Sequence, residues 1–213
     1  MFRLHYSPGF GSMAPHMVLR EAGAPFELVP VDLSKGEHQT EAFRRLNPLA
    51  RIPVLEANGM ILYEAPAICL HLADAFPAAQ LAPPPGTLDR ALLYRWLMYL
   101  TNTLQAHMLC YYYPHRISAT DAAAAEVKAA AEQRIAEDLD YVAAEIARAA
   151  GPWLCGQAYT VADPYLLMLC SWTLGMERPA RAVPVLAPLL ERVAARPAVR
   201  AALEAEGLPQ PWF

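Results

Sequence analysis

The 213-residue chain is 55% hydrophobic and 18% charged, which excludes a disordered chain and leaves more apolar surface than a monomer of this size ordinarily hides. Its net charge of −4 supplies no basic field for a phosphate backbone, so nucleic acid is excluded as a partner. The most apolar stretch of the second half, 161–176, is broken by Asp163 and Pro164 and is too short to span a bilayer, so no membrane segment is expected.

The amino terminus, Met1-Phe2-Arg3-Leu4-His5-Tyr6, lacks the charged start and apolar run of an export signal, which predicts a cytoplasmic protein. Cys69, Cys110, Cys155 and Cys170 are far apart, with no CxxC pair and no histidines at zinc spacing, so reduced thiols and no metal centre are expected. Phe2, Leu4 and Tyr6 alternate with Arg3 and His5, the pattern of a strand with two differently solvated faces. The chain then turns at Pro8-Gly9-Phe10-Gly11, and Ser12 stands where a side chain caps a helix running to about Glu21. A second strand is predicted over 26–31. Asn47-Pro48 stops a short helix, because the residue before a proline is pushed out of the helical region. Segments 52–56 and 60–63 flank Ala57-Asn58-Gly59, and Asn-Gly is a strong hairpin signal. A helix over about 65–76 closes the unit. The order βαβ then ββα is the ground plan of a thioredoxin-like fold.

Pro83-Pro84-Pro85-Gly86 forbids regular helix, and the composition changes on either side of it. The expected division is therefore an α/β domain over 1–80, a linker over 81–87 and an all-helical domain over 88–213. Within the latter, 120–149 places Ile135, Leu139, Val142 and Ile146 at helical spacing on one face, a core stripe, and Gly151-Pro152 ends the helix.

Three segments resemble glutathione transferases, especially the bacterial beta class. The first is Asn47-Pro-Leu-Ala-Arg-Ile-Pro-Val-Leu-Glu56 followed by Asn58-Gly-Met-Ile-Leu-Tyr-Glu-Ala65. The second is Trp153-Leu-Cys-Gly-Gln-Ala-Tyr-Thr-Val-Ala-Asp-Pro-Tyr165. The third is the carboxy-terminal stretch with Ala195-Arg-Pro-Ala-Val-Arg200 and Ala205-Glu-Gly-Leu208. In the second, Thr160 and Asp163 have the spacing of a capping box and are read as structural. The resemblance implies a glutathione transferase architecture, a thioredoxin-like domain followed by an all-α domain, assembled as a homodimer. It also implies that Pro53 is preceded by a cis peptide and that Ile52 offers its backbone to the cysteinyl part of glutathione, the tripeptide being a substrate. By the same resemblance Glu64 faces the ligand's ammonium and the amides at Ala65 hold its glutamyl carboxylate. Lys35 and His38 lie where the family recruits a base for the glycyl carboxylate.

A transferase of this kind must ionise the glutathione thiol, which titrates near 8.5 when free. Lowering that value by about two units requires roughly 2.7 kcal/mol of preferential thiolate stabilisation. In the beta class the first turn carries a cysteine, but here its position is Gly11. Ser12 is then the candidate hydroxyl, as in several other classes, with Tyr6 the alternative. Aligned on Trp96, Gln105 stands where the beta class has a histidine and Met98 where it has an asparagine. His107, Met108, Tyr111, Tyr112 and Trp172 are the candidates for an apolar pocket holding a small hydrophobic electrophile, the second substrate. The expected activity is conjugation of the glutathione thiolate. The alternatives are a non-catalytic glutathione- or ligand-binding protein of the same fold, or a glutathione-dependent isomerase, dehalogenase or peroxidase.

Overall fold

The computed structural model describes residues 1–149 and 151–213. In chain order the elements are β1 (Phe2–Tyr6), α1 (Met13–Glu21), β2 (Phe26–Pro30), α2 (Glu41–Leu46), β3 (Val54–Ala57), β4 (Met60–Tyr63) and α3 (Ala65–Ala75). There follow α4 (Leu88–Tyr99), α5 (Gln105–Tyr112), α6 (Asp121–Arg148), α7 (Ala162–Ser171), α8 (Leu186–Ala194) and α9 (Pro197–Ala205). The chain divides into two units, Met1–Pro83 with Val193–Trp212, and Pro84–Arg192 with Phe213. The division falls inside the proline run, where three consecutive residues lack the N–H that a helix or strand needs.

The first unit is built on one mixed sheet in the order β2-β1-β3-β4. β1 runs parallel to β2, with Leu4 opposite Leu28, and antiparallel to β3, with Leu4 opposite Leu55. β3 and β4 form the hairpin that the Asn-Gly signal predicts, and Asn58 and Gly59 both take the positive φ, 50° and 84°, that its two-residue turn demands. β3 begins at Val54, two residues later than expected, because Pro53 has no N–H for the ladder. β2 likewise ends at Pro30, although the Val31 N–H still donates to the Tyr6 carbonyl at 2.8 Å.

Helix α1 packs against both α3 and α9, and seven consecutive residues of it, Met13 to Leu19, are buried. That is why the carboxy-terminal segment, expected in the second domain, belongs with the first unit: Val199, Ala202 and Leu203 of α9 are buried there at helical spacing. Ser12 does not cap α1. Its backbone is already helical (φ −75°, ψ −16°) and its side chain makes no capping bond.

In the second unit α4 runs through a π-helical turn at Leu100–Leu104 into α5. α6 is a 28-residue helix whose amino end is capped by Thr120, the hydroxyl accepting from the Ala123 N–H at 3.2 Å. Ile135, Leu139 and Val142 of the predicted stripe are buried, while Ile146, in the last turn, is half-buried. Gly151 lies so close to Gly156 that a Cβ there would run into the Gly156 carbonyl. No helix among the described residues is long and apolar enough to cross a membrane.

Candidate functional site

The register of the sheet brings the singled-out residues of the first unit to one edge. Val54 lies opposite both His5 and Tyr63. Tyr6, Pro53 and Glu64, each one residue further on, therefore stand side by side where β1 and β4 end and β3 begins. Pro30, paired with Tyr6, ends β2 at the same place. Ligands of open α/β sheets collect at the carboxyl ends of the parallel strands, and this edge is that end for β1 and β2.

The wall of the edge is Ile52–Pro53, whose peptide bond is cis. Facing it is the turn between β1 and α1: a Cβ placed on Gly11 would sit 3.6 Å from the Pro53 Cδ and 3.8 Å from the Ile52 carbonyl oxygen. The Gly11 position thus touches the cis Ile52–Pro53 peptide. Gly11 has an ordinary φ, so a side chain would be accommodated there without backbone strain.

Ser12 is fully buried, and its hydroxyl donates to the Ser7 carbonyl at 3.1 Å while accepting from the Ser7 N–H at 3.2 Å. Its one proton braces the turn from within. Tyr6 ends β1 half-buried, with its ring edge-on to His16 at 6.3 Å between centroids.

Glu64 is exposed and holds φ 72°, ψ 108°, a backbone conformation that non-glycine residues rarely adopt and that costs of order 1–3 kcal/mol. It immediately precedes α3 and its side chain makes no cap bond, so the carboxylate is left to solvent or ligand. The α3 amino end is narrower as an anion site than the sequence suggests. Pro66 has no N–H and the Ile68 N–H donates to the Glu64 carbonyl at 3.0 Å, which leaves the amides of Ala65 and Ala67.

Lys35 is committed elsewhere. Its Nζ lies 2.9 Å from the Asp32 carboxylate, which raises the lysine's pKa. The Asp32 carboxyl is held well below the usual range by hydrogen bonds from the Ser34 hydroxyl and from Lys35. His38 sits in a short 3-10 turn, its Nε2 3.4 Å from the Gln39 amide nitrogen. The cation that sequence reasoning passed over is Arg51. It is exposed, its guanidinium takes no partner among the described residues, and it adjoins Ile52. Asn47 anchors its loop by donating to the Arg51 carbonyl at 2.7 Å.

In the helical unit the candidate pocket residues do not converge. Met108 is fully enclosed core, which corrects its assignment as a lining residue. His107 turns to α6, its ring Nδ1 donating at 2.7 Å to Asp138, a buried carboxylate that also accepts from the Tyr99 hydroxyl at 3.1 Å. Burial, then the Asp138 charge, raises the Tyr99 pKa. Tyr111, one turn beyond His107, also faces α6, with the Lys128 ammonium 4.7 Å from its ring centroid. Tyr112 meets the Tyr111 ring edge-on, 5.0 Å between centroids, and joins Trp172 through a short hydrogen bond from its hydroxyl to the Trp172 carbonyl. Gln105, where the beta class has histidine, accepts a short bond from the buried Tyr165 hydroxyl, so it is tied to α7. A shallow concavity of about 290 Å³ lies at the opposite end of the sheet between Arg3, Glu56 and the Asn58-Gly59 turn. Arg3 and Glu56 pair across it at 3.1 Å, and nothing of the strand-end chemistry reaches it.

Asp163 is fully buried, accepting from the Leu154 N–H and the Thr160 N–H at 2.8 Å each, while the Thr160 hydroxyl accepts from the Ala162 N–H at 3.3 Å. Burial outweighs those bonds and pushes the Asp163 carboxyl up to about 6.

A thioredoxin-like sheet whose strand ends gather a cis-proline wall, a helix start and an open carboxylate, carried on a chain that goes on into a helical unit, defines a two-part protein of the thioredoxin-like fold class. The chain belongs to the glutathione S-transferase family: the model of its amino-terminal domain matches residues 4–74 and that of its carboxy-terminal domain residues 107–206. Glutathione S-transferase GstA of Escherichia coli O157:H7 is 33% identical over 208 residues, covering 97% of this chain and 99% of that protein. Among solved structures, a glutathione transferase homologue from Sulfitobacter with bound glutathione superposes with a TM-score of 0.90 at 28% identity, covering 98% of this chain and 99% of that one. A bacterial beta class glutathione S-transferase from Sphingomonas chungbukensis superposes with a TM-score of 0.85 at 35% identity, covering 97% and 100%.

Proposed function

We propose that the protein is a glutathione transferase that binds glutathione along the strand-end edge of its first unit and conjugates its thiolate to a small hydrophobic electrophile. The observation that carries this reading is the meeting of the Gly11 position with Ile52–Pro53, within 4 Å, beside the strained Glu64. In it, the Ile52 backbone pairs with the cysteinyl unit, Glu64 takes the ammonium, and the amides of Ala65 and Ala67 take the glutamyl carboxylate. Arg51, without a competing carboxylate, takes the glycyl carboxylate in preference to Lys35.

The thiolate then lies at the amino end of α1. Ser12 is the hydroxyl nearest in sequence, but donating to sulfur would cost it the bond to Ser7, about 1 kcal/mol. The amides of Gly11 and Ser12 and the positive end of the α1 dipole need no such rearrangement, so we assign them the stabilisation and Ser12 the brace. Tyr112 and Trp172 supply the aromatic surface for the electrophile. Tyr94 and Met98, one turn apart on α4 and each more than 40% exposed, support burial in a homodimer. Four free thiols suit a reducing compartment, the cytoplasm.

Calorimetric titration with glutathione, beside a conjugation assay on aryl halides, tests this. Binding in the micromolar to millimolar range with measurable conjugation is expected. The Ser12→Ala variant is expected to melt several degrees lower yet keep its conjugation rate within about fivefold, whereas a loss of 100-fold or more with affinity retained would make Ser12 the donor instead. A second reading is favoured by Gly11, which carries no thiol: a glutathione-binding protein that has given up conjugation. Binding without turnover on aryl halides and peroxides would select it.

A further inference from the structure

Glu206 follows the last turn of α9, and its side chain is only 1% exposed. A buried carboxylate is costly to desolvate and is tolerated where both oxygens are satisfied. Here Oε2 accepts from the Gly9 N–H at 2.9 Å and Oε1 from the His16 ring Nδ1 at 2.9 Å. His16 is itself fully buried. The Arg20 Nε, which can only donate, reaches the His16 Nε2 at 3.0 Å, so Nε2 is the acceptor and the ring hydrogen sits on Nδ1, pointing at Glu206. The chain of donors therefore has one polarity, from Arg20 through His16 to Glu206. The carboxylate's second oxygen is left for one group, the amide of Gly9.

Gly9 is a residue of the β1–α1 turn held at φ +76°, and the Leu208 Cδ2 lies 3.5 Å from where its Cβ would be. Two residues on is Gly11, against Ile52–Pro53. At the far end of α9, Arg196 holds Glu21 of α1 with two bonds of 2.6 and 2.8 Å. The last helix is thus fixed to α1 at both ends, and only the Glu206 end reaches the turn. An apolar residue at 206 would pack as well, but it would remove the bond from the Gly9 amide to the last helix.

We propose that Glu206 is a positioning residue of the thiol site, a carboxy-terminal clamp that fixes the Gly9–Ser12 turn, and with it the amides at the start of α1, against Ile52–Pro53. This rests on the reading above that the thiolate lies at those amides. Glu206→Gln keeps the shape but offers one acceptor where two donors converge, and Arg20 prevents His16 from switching tautomer to accommodate it.

Amide hydrogen exchange and a pH–rate profile test the clamp. In Glu206→Gln, exchange over residues 7–13 is expected to rise at least tenfold while that of β4 stays unchanged. The conjugation rate is expected to fall about tenfold at pH 6.5 and to return to within about twofold at pH 9, where the thiol ionises unaided, with KM for glutathione changed less than about threefold. Unchanged exchange overturns the proposal, as does an equal rate loss at both pH values, which would mark a role in folding alone. Should the variant not fold, the wild-type protein decides: the Gly9 amide is expected to exchange as slowly as the α9 amides, and exchange at the rate of an unprotected, solvent-exposed amide overturns the clamp. Failure of the wild type to bind glutathione would refute the site reading, while the exchange arm still judges the clamp.

Discussion

Lys35 and Arg51 are both exposed cations on loops at the strand-end edge, and they differ in what already holds them. Lys35 would have to leave Asp32, 2.9 Å away, to meet a ligand carboxylate, whereas the Arg51 guanidinium has no such tie among the described residues. Arg51→Ala is therefore expected to raise KM for glutathione about tenfold, roughly 1.4 kcal/mol of binding, with kcat within twofold. Lys35→Ala is expected to change KM less than threefold. Steady-state kinetics at saturating electrophile separates the two. At this scale the sequence was most legible where a motif is local: Pro53 and Glu64 lie one residue beyond paired strand positions, so their placement follows from the hairpin. The direction of the Ser12 hydroxyl was not legible, because its partner is the backbone of Ser7 across a turn and a cap at the start of α1 would demand the same residue type.

Among elements, α7 shows how burial and capping compete. The Asp163 carboxylate receives two backbone N–H groups, yet its complete burial raises its pKa to about 6, above the ordinary aspartate value of 3.8. Between pH 4 and 6 the folded state thus keeps a proton that the unfolded state releases. The contribution of this group to stability falls as pH rises through that window, by up to about 3 kcal/mol, and is flat above it. Denaturant unfolding at pH 4.5 and 7 is expected to show this fall in the wild type and to lose it in Asp163→Ala. That variant should also be 2–4 kcal/mol less stable at pH 4.5, where two buried amides lose their acceptor. Along the α4–α5 helix the π turn at 100–104 admits one extra residue and rotates everything beyond it. Thr101, Asn102 and Thr103 are weak helix formers, but no sequence pattern distinguishes a π turn from an ordinary one. His107 and Tyr111 accordingly face α6, and of the five expected pocket residues it is Tyr112 that is bonded to Trp172.

Over the whole molecule the four thiols are separated by burial. Desolvation pushes Cys155 up to about 12 and raises Cys69 and Cys170 as well, whereas Cys110 is half-buried. A thiol reagent is expected to modify one cysteine of four within minutes in the native protein, Cys110, and all four after unfolding. Mass mapping of the labelled peptide checks the assignment. Sequence alone determined the two-part architecture, the order of elements along the first unit and the family, because alternation, turn residues and proline runs act over a few neighbours and their meaning survives without tertiary context. Only the tertiary structure decided that 193–212 joins the first unit, that Ser12 turns inward, and that Glu206 reaches Gly9 across 197 residues of chain. Such contacts depend on which buried donors and acceptors remain after packing, and that choice is made by the folded molecule as a whole.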